Sequence, residues 1–276
     1  MKTRYKLVAL DLDGTLLSAR GELSTAVRQA IAAVQSQGVQ VTLATGRRAC
    51  RTLPWARALH IEVPVVAHNG AVVVDPQSGR FYCQQGISIT VANELIGELH
   101  RLNLPYLVYR GEDQGEMGML TAQFAEHKTE FLTYIDDQLE ITENLFLEAA
   151  PIKIAVLAKA EQMKEVVDAW HRRYGHAANM ITYKSDGYIG VDFVPPNCSK
   201  ASGIGCILSL LELDFSHVLA IGDDYNDLAL IQAAGFGVAM GHAPVTVKQH
   251  ADFIAPSGDQ DGVAYVLKRF LLRETE

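Results

Sequence analysis

The sequence lacks the features that would mark it as a membrane, disulfide-rich or nucleic-acid-binding protein. It has no run of about eighteen uncharged apolar residues, and the apolar run near its start is too short for a signal peptide. Its 4 cysteines show no Cys-x-x-Cys spacing, which argues against a disulfide framework or a zinc site. With a net charge of -8, it offers no broad basic face for nucleic acid. We therefore expect a cytoplasmic protein that binds neither a membrane nor nucleic acid.

An apolar segment that ends in two carboxylates is the most informative stretch of the chain. The run from Val8 to Leu10 leads into Asp11 and Asp13, which are followed by Gly14 and Thr15. This pattern predicts a buried strand that stops at a site. Two carboxylates there repel each other unless a cation or strong hydrogen-bond donors lie between them. A divalent metal ion is therefore the first ligand that the stretch indicates.

Strand and helix patterns alternate at both ends of the chain. The predicted strands lie near residues 8–12, 39–44, 64–67, 218–221 and 236–239, and the predicted helices end near residues 38, 59, 211, 234 and 272. Such alternation is typical of an α/β fold with a parallel sheet covered by helices. In these sheets ligands bind beyond the carboxyl ends of the strands.

The pattern changes in the middle of the chain. A hairpin is predicted at residues 71–84, and it is followed by two helices and four short strands between residues 90 and 191. This mixture predicts a separate α+β unit inserted into the first one. The consecutive Pro195 and Pro196 mark the return to the alternating pattern.

Three polar clusters follow predicted strands and should meet at one edge of the sheet. They are Asp11 with Asp13, the segment Thr45-Gly46-Arg47, and the segment from Asp223 to Asp227. Turn and cap chemistry explains the last cluster equally well when it is considered alone. Together, however, the clusters place at least three carboxylates at the same edge. Oxygen ligands without histidine or cysteine suit Mg²⁺.

Beside such a metal, these residues can transfer a phosphoryl group. The Asp11 carboxylate is ionised at neutral pH and can attack phosphorus, which forms an aspartyl phosphate. Asp13 can protonate the leaving oxygen and later accept a proton from water, which requires surroundings that favour its protonated form. Its backbone carbonyl is a further candidate metal ligand. Thr45 and the Gly46 amide can donate hydrogen bonds to phosphate oxygens, and Lys200 can supply a positive charge.

Five motifs occur in order along the chain: Asp11–Thr15, Thr45–Arg47, Asn69–Ala71, Lys200, and Gly222–Asp227 in the form G-D-x-x-N-D. They resemble motifs of the haloacid dehalogenase superfamily of phosphatases, and within it of the Cof-like hydrolases. The resemblance covers essentially the whole chain. It departs from the family at His242, where many relatives have asparagine, and at Asn197, where a glycine is usual.

The resemblance implies a Rossmann-like, mostly parallel sheet in a catalytic core at residues 1–84 and 192–276, with an inserted α+β cap at residues 85–191 that selects the substrate. It implies that Asp11 is the nucleophile and Asp13 the acid/base. The implied phosphate-binding residues are Thr45, Gly46, Asn69, Lys200 and Asn226, and the implied ligands of Mg²⁺ are Asp11, Asp13, Asp223 and Asp227.

We therefore expect a Mg²⁺-dependent phosphatase of small phosphorylated metabolites, such as sugar phosphates, phosphorylated cofactors or nucleotides. A phosphomutase of the same fold stays open as an alternative, although the basic residues of the cap are scattered among acidic ones. A catalytically idle protein that binds a phosphorylated ligand is the other alternative. The oligomeric state is expected to be monomer or homodimer. The candidates for substrate selection in the cap are Met117, Met119, His127, Lys184 and Tyr188.

Overall fold

The chain forms two compact units. The computed structural model describes residues 4–18, 20–111, 116–119, 140–141, 146–185 and 187–272. Unit 1 extends to Cys83 and resumes at Ser199, and unit 2 is Gln84–Cys198. The fold is α/β, and the second unit is an insertion in the first.

Helices and strands are numbered in chain order over the described residues. The strands are β1 (Leu7–Leu10), β2 (Gln40–Leu43), β3 (Val65–Ala67), β4 (Val72–Val74), β5 (Phe81–Gln84), β6 (Tyr106–Tyr109), β7 (Glu116–Met119), β8 (Glu140–Ile141), β9 (Lys153–Lys159), β10 (Asn179–Ser185), β11 (Tyr188–Val194), β12 (Val218–Gly222), β13 (Phe236–Met240) and β14 (Phe253–Ala255). The helices are α1 (Thr25–Ser36), α2 (Ala49–Ala58), α3 (Ile89–Arg101), α4 (Ala160–Tyr174), α5 (Lys200–Leu210), α6 (Leu228–Ala233), α7 (Val245–Gln249) and α8 (Gly262–Phe270).

A parallel sheet of five strands, in the order β14-β13-β12-β1-β2, forms the core of unit 1. The central strand β1 pairs with β12 on one side and with β2 on the other, and all four of its residues are buried. Strands that are covered on both faces appear in a sequence as continuous apolar runs, which explains why β1 and β12 were predictable. Because the strands are parallel, their carboxyl ends lie at one edge.

The third strand predicted for this sheet is attached to it by a single parallel bridge, between Ala44 and Val66. Along its length β3 pairs with β4 in antiparallel fashion, within a separate sheet of order β3-β4-β5. The chain reverses between the two strands, where Asn69 has a φ of 54° and Gly70 a φ of 103°. This reversal was not anticipated, because the predicted hairpin began only after it.

Helix α1 shows how local chemistry sets an element of unit 1. The Ser24 hydroxyl accepts a hydrogen bond from the Val27 amide and caps the helix. Val27, Ile31 and Val34 are buried along one face. The chain leaves the helix through Gly38 at a φ of 78°, a conformation that favours glycine.

Unit 2 contains a six-stranded sheet in the order β10-β11-β9-β6-β7-β8, in which only the β7–β8 pair is parallel among the described strands. Helices α3 and α4 cover one face, where Leu95, Leu99 and Trp170 pack with Tyr106 and Phe193. Side chains that alternate along a strand lie on opposite faces, so the same strands carry a second apolar cluster on the other side.

None of the helices that the structure describes is long and apolar enough to span a bilayer. The short elements α7 and β14 were not predicted, because segments of five and three residues carry too little periodic signal. Of the proposed substrate-selecting residues, Tyr188 is half-buried against the second apolar cluster of unit 2. His127 and the side chains of Met117, Met119 and Lys184 lie outside the described residues.

Candidate active site

Strand register brings two aspartates together at the carboxyl edge of the parallel sheet. Leu10 of β1 pairs with Ile221 of β12, and the Asp11 amide donates a hydrogen bond to the Ile221 carbonyl at 2.9 Å. Asp11 is the first residue after β1, and Asp223 is the first residue after β12. The edge predicted to hold a site therefore carries both of them.

Asp11, Asp223 and Asp227 form an acidic triad. One carboxylate oxygen of each residue lies within 4.8 Å of the others. Lys200, from the first turn of α5, places its Nζ atom 2.5 Å from Asp11 Oδ1 and 2.7 Å from Asp227 Oδ1. The Lys200 side chain is only 1% exposed. The lysine therefore joins two buried carboxylates away from solvent.

The triad carries more negative charge than the lysine balances. Burial raises the pKa of Asp11 well above its ordinary value, against the opposing effect of Lys200, and the charges of Asp227 and Asp223 raise it further. Burial, followed by the charge of Asp227, also raises the pKa of Asp223. Burial would lower the pKa of Lys200, but the two carboxylates that it contacts outweigh burial and raise it. Three ionised carboxylates and one ammonium leave a formal charge of about two negative units, which a divalent cation would neutralise.

The residues of the triad fit a hard divalent cation. All the candidate ligand atoms are carboxylate oxygens, the donors that such ions prefer. Nearby, Asn226 Oδ1 is buried and accepts no hydrogen bond from the part of the chain that the structure describes. Buried acceptors nearly always have a partner, so we expect a cation or a donor group of a ligand to contact Asn226 Oδ1.

Asp227 organises the loop that follows β12. Its Oδ2 atom accepts hydrogen bonds from the amides of Asp223 and Asp224, each at 3.1 Å, while Oδ1 accepts from Lys200. A Cβ atom on Gly222 would lie 2.3 Å from the Asp227 carboxyl carbon. Glycine at this position therefore allows the carboxylate to fold back onto its own loop.

Asp223 is held by two side chains that we did not predict as site residues. Thr15 Oγ1 donates to Asp223 Oδ1 at 2.8 Å, and His242 Nε2 lies 3.2 Å from Asp223 Oδ2. Gly14 has a φ of 79°, and a Cβ atom on it would lie 2.5 Å from Asp223 Oδ2. Thr15, two residues after Asp13, was a signal in the sequence for such a contact, and His242 was noticed only as a departure from the family.

A second group of polar residues comes from β2 and from the reversal after β3. The Asn69 amide donates to the Thr45 carbonyl at 3.0 Å, and Asn226 Nδ2 donates to Asn69 Oδ1 at 3.0 Å. A Cβ atom on Gly46 would approach Asn69 Oδ1 to 3.0 Å. Thr45, Gly46, Asn69 and Asn226, which were all predicted to bind phosphate, therefore lie beside one another.

Asp13 is engaged differently from the triad. Its carboxylate accepts two hydrogen bonds from Arg47, from Nε at 2.7 Å and from Nη2 at 2.5 Å. Paired charge-assisted hydrogen bonds of this kind fix the orientation of a carboxylate. The expectation that the surroundings of Asp13 favour its protonated form stays a prediction. A metal contact through the Asp13 backbone carbonyl stays a prediction.

Comparisons with known proteins agree with this geometry. The haloacid dehalogenase-like hydrolase family matches residues 8–267. Phosphatase YwpJ of Bacillus subtilis is 28% identical over 96% of this chain and 100% of its own length. The 5-amino-6-(5-phospho-D-ribitylamino)uracil phosphatase YcsE of the same organism is 30% identical over 97% of this chain and 96% of its own. A solved haloacid dehalogenase-like hydrolase from Bacteroides thetaiotaomicron, 28% identical, has a TM-score of 0.80 and covers 96% of this chain and 99% of its own. The chain therefore belongs to the haloacid dehalogenase-like hydrolase family.

Proposed function

We propose that the protein is a Mg²⁺-dependent phosphatase that hydrolyses small phosphate monoesters through an aspartyl phosphate on Asp11. The acidic triad around Lys200 carries this proposal. A single buried carboxylate would suffice to pair with the lysine, but three are gathered there. An excess of buried negative charge does not favour folding. In metal-assisted phosphoryl transfer, however, such carboxylates serve as metal ligands and as the nucleophile.

Asp11 acts as the nucleophile. One of its oxygens attacks phosphorus while the bond from phosphorus to the leaving oxygen breaks, and Asp13 gives a proton to that oxygen. Water then attacks the phosphorus of the aspartyl phosphate, and Asp13 takes up a proton from the water. The bond between phosphorus and the Asp11 oxygen breaks, which releases inorganic phosphate. The first step requires Asp13 to carry a proton when the substrate binds, while two hydrogen bonds from Arg47 orient its carboxyl group.

The metal ligands in this proposal are the carboxylates of Asp11, Asp223 and Asp227 and the backbone carbonyl of Asp13. When bound there, Mg²⁺ neutralises the repulsion between the Asp11 carboxylate and the phosphate and stabilises charge on the transferring group. The triad already carries negative charge that matches a divalent ion, and its all-oxygen donors are the kind that Mg²⁺ prefers.

Donors beside the triad orient the phosphate. The Thr45 hydroxyl, the Gly46 amide and the amide groups of Asn69 and Asn226 bind the phosphate oxygens, and Lys200 supplies positive charge. One observation supports this set. The hydrogen bond between Asn226 and Asn69 links the loop after β12 to the reversal after β3.

We assign catalysis to unit 1 and substrate selection to unit 2, the inserted cap expected at residues 85–191. The proposed substrates are a sugar phosphate, a phosphorylated cofactor or a nucleotide. Because the relative YcsE is a 5-amino-6-(5-phospho-D-ribitylamino)uracil phosphatase, phosphate esters of a ribityl chain should be tested first. A panel of phosphate monoesters compared by kcat/KM would rank the three classes. A cytoplasmic location and a monomeric or dimeric state stay predictions.

Phosphate release from an aryl phosphate tests the proposed chemistry. The protein should release phosphate with Mg²⁺ and cease to do so in excess EDTA. Asp11→Asn should lower kcat by a factor of about 10⁴ or more, because the amide cannot form the covalent intermediate. The matched control is Asp214→Asn, which changes an exposed carboxylate at a helix cap elsewhere in unit 1. Absence of metal-dependent turnover would favour the idle ligand-binding protein, and unchanged turnover in Asp11→Asn would refute the mechanism.

A further inference from the structure

His242 lies beside the acidic triad because of the register of the parallel sheet. Gly222 at the end of β12 pairs with Ala239 near the end of β13. The loops that follow these two strands therefore begin side by side, and they carry Asp223 and His242 respectively. A tight turn, in which the Ala243 amide donates to the Met240 carbonyl at 3.0 Å, presents the histidine toward this edge.

His242 and Thr15 each contact one oxygen of the Asp223 carboxylate. His242 Nε2 lies 3.2 Å from Asp223 Oδ2, and because a carboxylate only accepts, the imidazole donates. The other oxygen of Asp223 accepts from Thr15. Asp227 places a second negative charge close to Asp223. The two donors hold the Asp223 carboxylate in place from both sides.

We propose that His242 is a positioning residue that fixes the Asp223 carboxylate for divalent metal binding. The proposal rests on the metal site of the proposed function, but it does not depend on which phosphate ester is the substrate. Carboxylates that bind metals are commonly held by hydrogen bonds from outside the coordination shell. Loss of such a partner typically lowers metal affinity or activity by a factor of about 10–100.

The geometry indicates this indirect role in preference to coordination by the imidazole. Oxygens of Asp11, Asp223 and Asp227 lie within 4.8 Å of one another, and His242 is not part of that group although it contacts one member. Its side chain is 42% exposed, so the ring reaches the cluster from the solvent side. An imidazole in this position can orient a ligand without displacing one.

Direct metal binding tests the proposal without any substrate. Mn²⁺ serves as the probe, and the free ion is measured by electron paramagnetic resonance during titration of the purified full chain. His242→Ala should weaken Mn²⁺ binding by a factor of about 10–100. His242→Gln should recover most of the affinity, because its side-chain amide keeps an N–H donor. The matched control is His250→Ala, since the exposed His250 ring contacts the Thr246 carbonyl of helix α7 and its loss should leave binding unchanged.

Activity provides a second readout that separates positioning from general damage. In His242→Ala the Mg²⁺ concentration for half-maximal activity should rise, while kcat at saturating Mg²⁺ stays near that of the wild type. Wild-type Mn²⁺ affinity in a folded His242→Ala variant would overturn the proposal, and so would equal losses in the alanine and glutamine variants. A protein that binds Mn²⁺ as predicted but releases no phosphate would refute the proposed function and leave this inference intact.

Discussion

Replacement of Lys200 by methionine should test whether one lysine holds the acidic triad together. The methionine side chain is similar in length but has no charge, so Asp11 and Asp227 would lose their shared partner. Their side chains are 6% and 2% exposed, so water cannot take its place. Removal of one partner from a buried ion pair costs about 3–5 kcal/mol. Because two carboxylates depend on this lysine, we expect a loss near 5 kcal/mol in the unfolding free energy of unit 1 in EDTA.

The assay must report on unit 1 and must separate lost charge from lost packing. Hydrogen exchange of the β1 and β12 amides at increasing urea concentrations gives the free energy of opening of the central strands. Lys153→Met is the matched control, because Lys153 is another buried lysine paired with a buried aspartate, Asp192, in unit 2. Mg²⁺ at one hundred times its Kd should stabilise the wild type by about 2.7 kcal/mol. The same Mg²⁺ concentration should stabilise Lys200→Met by more, since the triad then has no cation of its own and binds Mg²⁺ more tightly.

Two results would refute this reasoning. A loss below about 1 kcal/mol in EDTA would mean that the carboxylates do not depend on Lys200, since that is the scale of an exposed pair. An equal Mg²⁺ effect in the wild type and in Lys200→Met would mean that the lysine and the metal do not balance the same charges. Lys153→Met should respond to Mg²⁺ as the wild type does.

Further substitutions test three separate features of unit 1. Arg47→Ala removes the ion pair with Asp13 and should lower kcat, measured by steady-state kinetics, by about tenfold or more. Arg47→Lys should have an intermediate kcat, because one ammonium group cannot bind both carboxylate oxygens as the guanidinium does. Gly70→Ala should cost about 3–5 kcal/mol in urea unfolding, because its Cβ would lie 2.0 Å from a backbone carbonyl oxygen. Gly79→Ala, where φ is also positive but the space is open, should cost about 1–2 kcal/mol. Since burial raises the pKa of Asp223, this carboxyl group binds a proton more readily in the folded metal-free protein than in the unfolded chain, so its contribution to stability should fall as pH rises above about 4. Asp223→Asn should be more stable than the wild type at pH 7 in EDTA, and a less stable variant would contradict this assignment.

The core of unit 1 was predictable because its strands and its site leave separate marks in the sequence. Apolar runs such as Val218 to Ile221 identify strands that are covered on both faces. Carboxylates directly after two such runs identify the functional edge, and register then brings Asp11 and Asp223 together. Periodicity and strand ends are local properties, so they could be identified before any long-range contact was known.

The pairing of Asp13 with Arg47 was not predictable, because it depends on where a long side chain turns. Arg47 was placed correctly at the end of β2, but its guanidinium can reach several groups from there. The same limit applies to His242, whose contact with Asp223 depends on the registers of β12 and β13 and on the turn after β13. Side-chain partners of this kind follow from the assembled sheet and leave no periodic signal.

The carboxylates of the triad make the metal-free fold less stable than neutral residues at the same positions would. Burial, together with the charges of neighbouring carboxylates, raises the pKa values of Asp11 and Asp223, which means that their surroundings disfavour the ionised forms. A divalent cation would reverse this balance, because it favours the ionised form of every carboxylate that it contacts. Metal binding and the stability of unit 1 should therefore rise and fall together. A substitution that makes the metal-free fold more stable, such as a neutral residue in the triad, should by the same argument weaken metal binding.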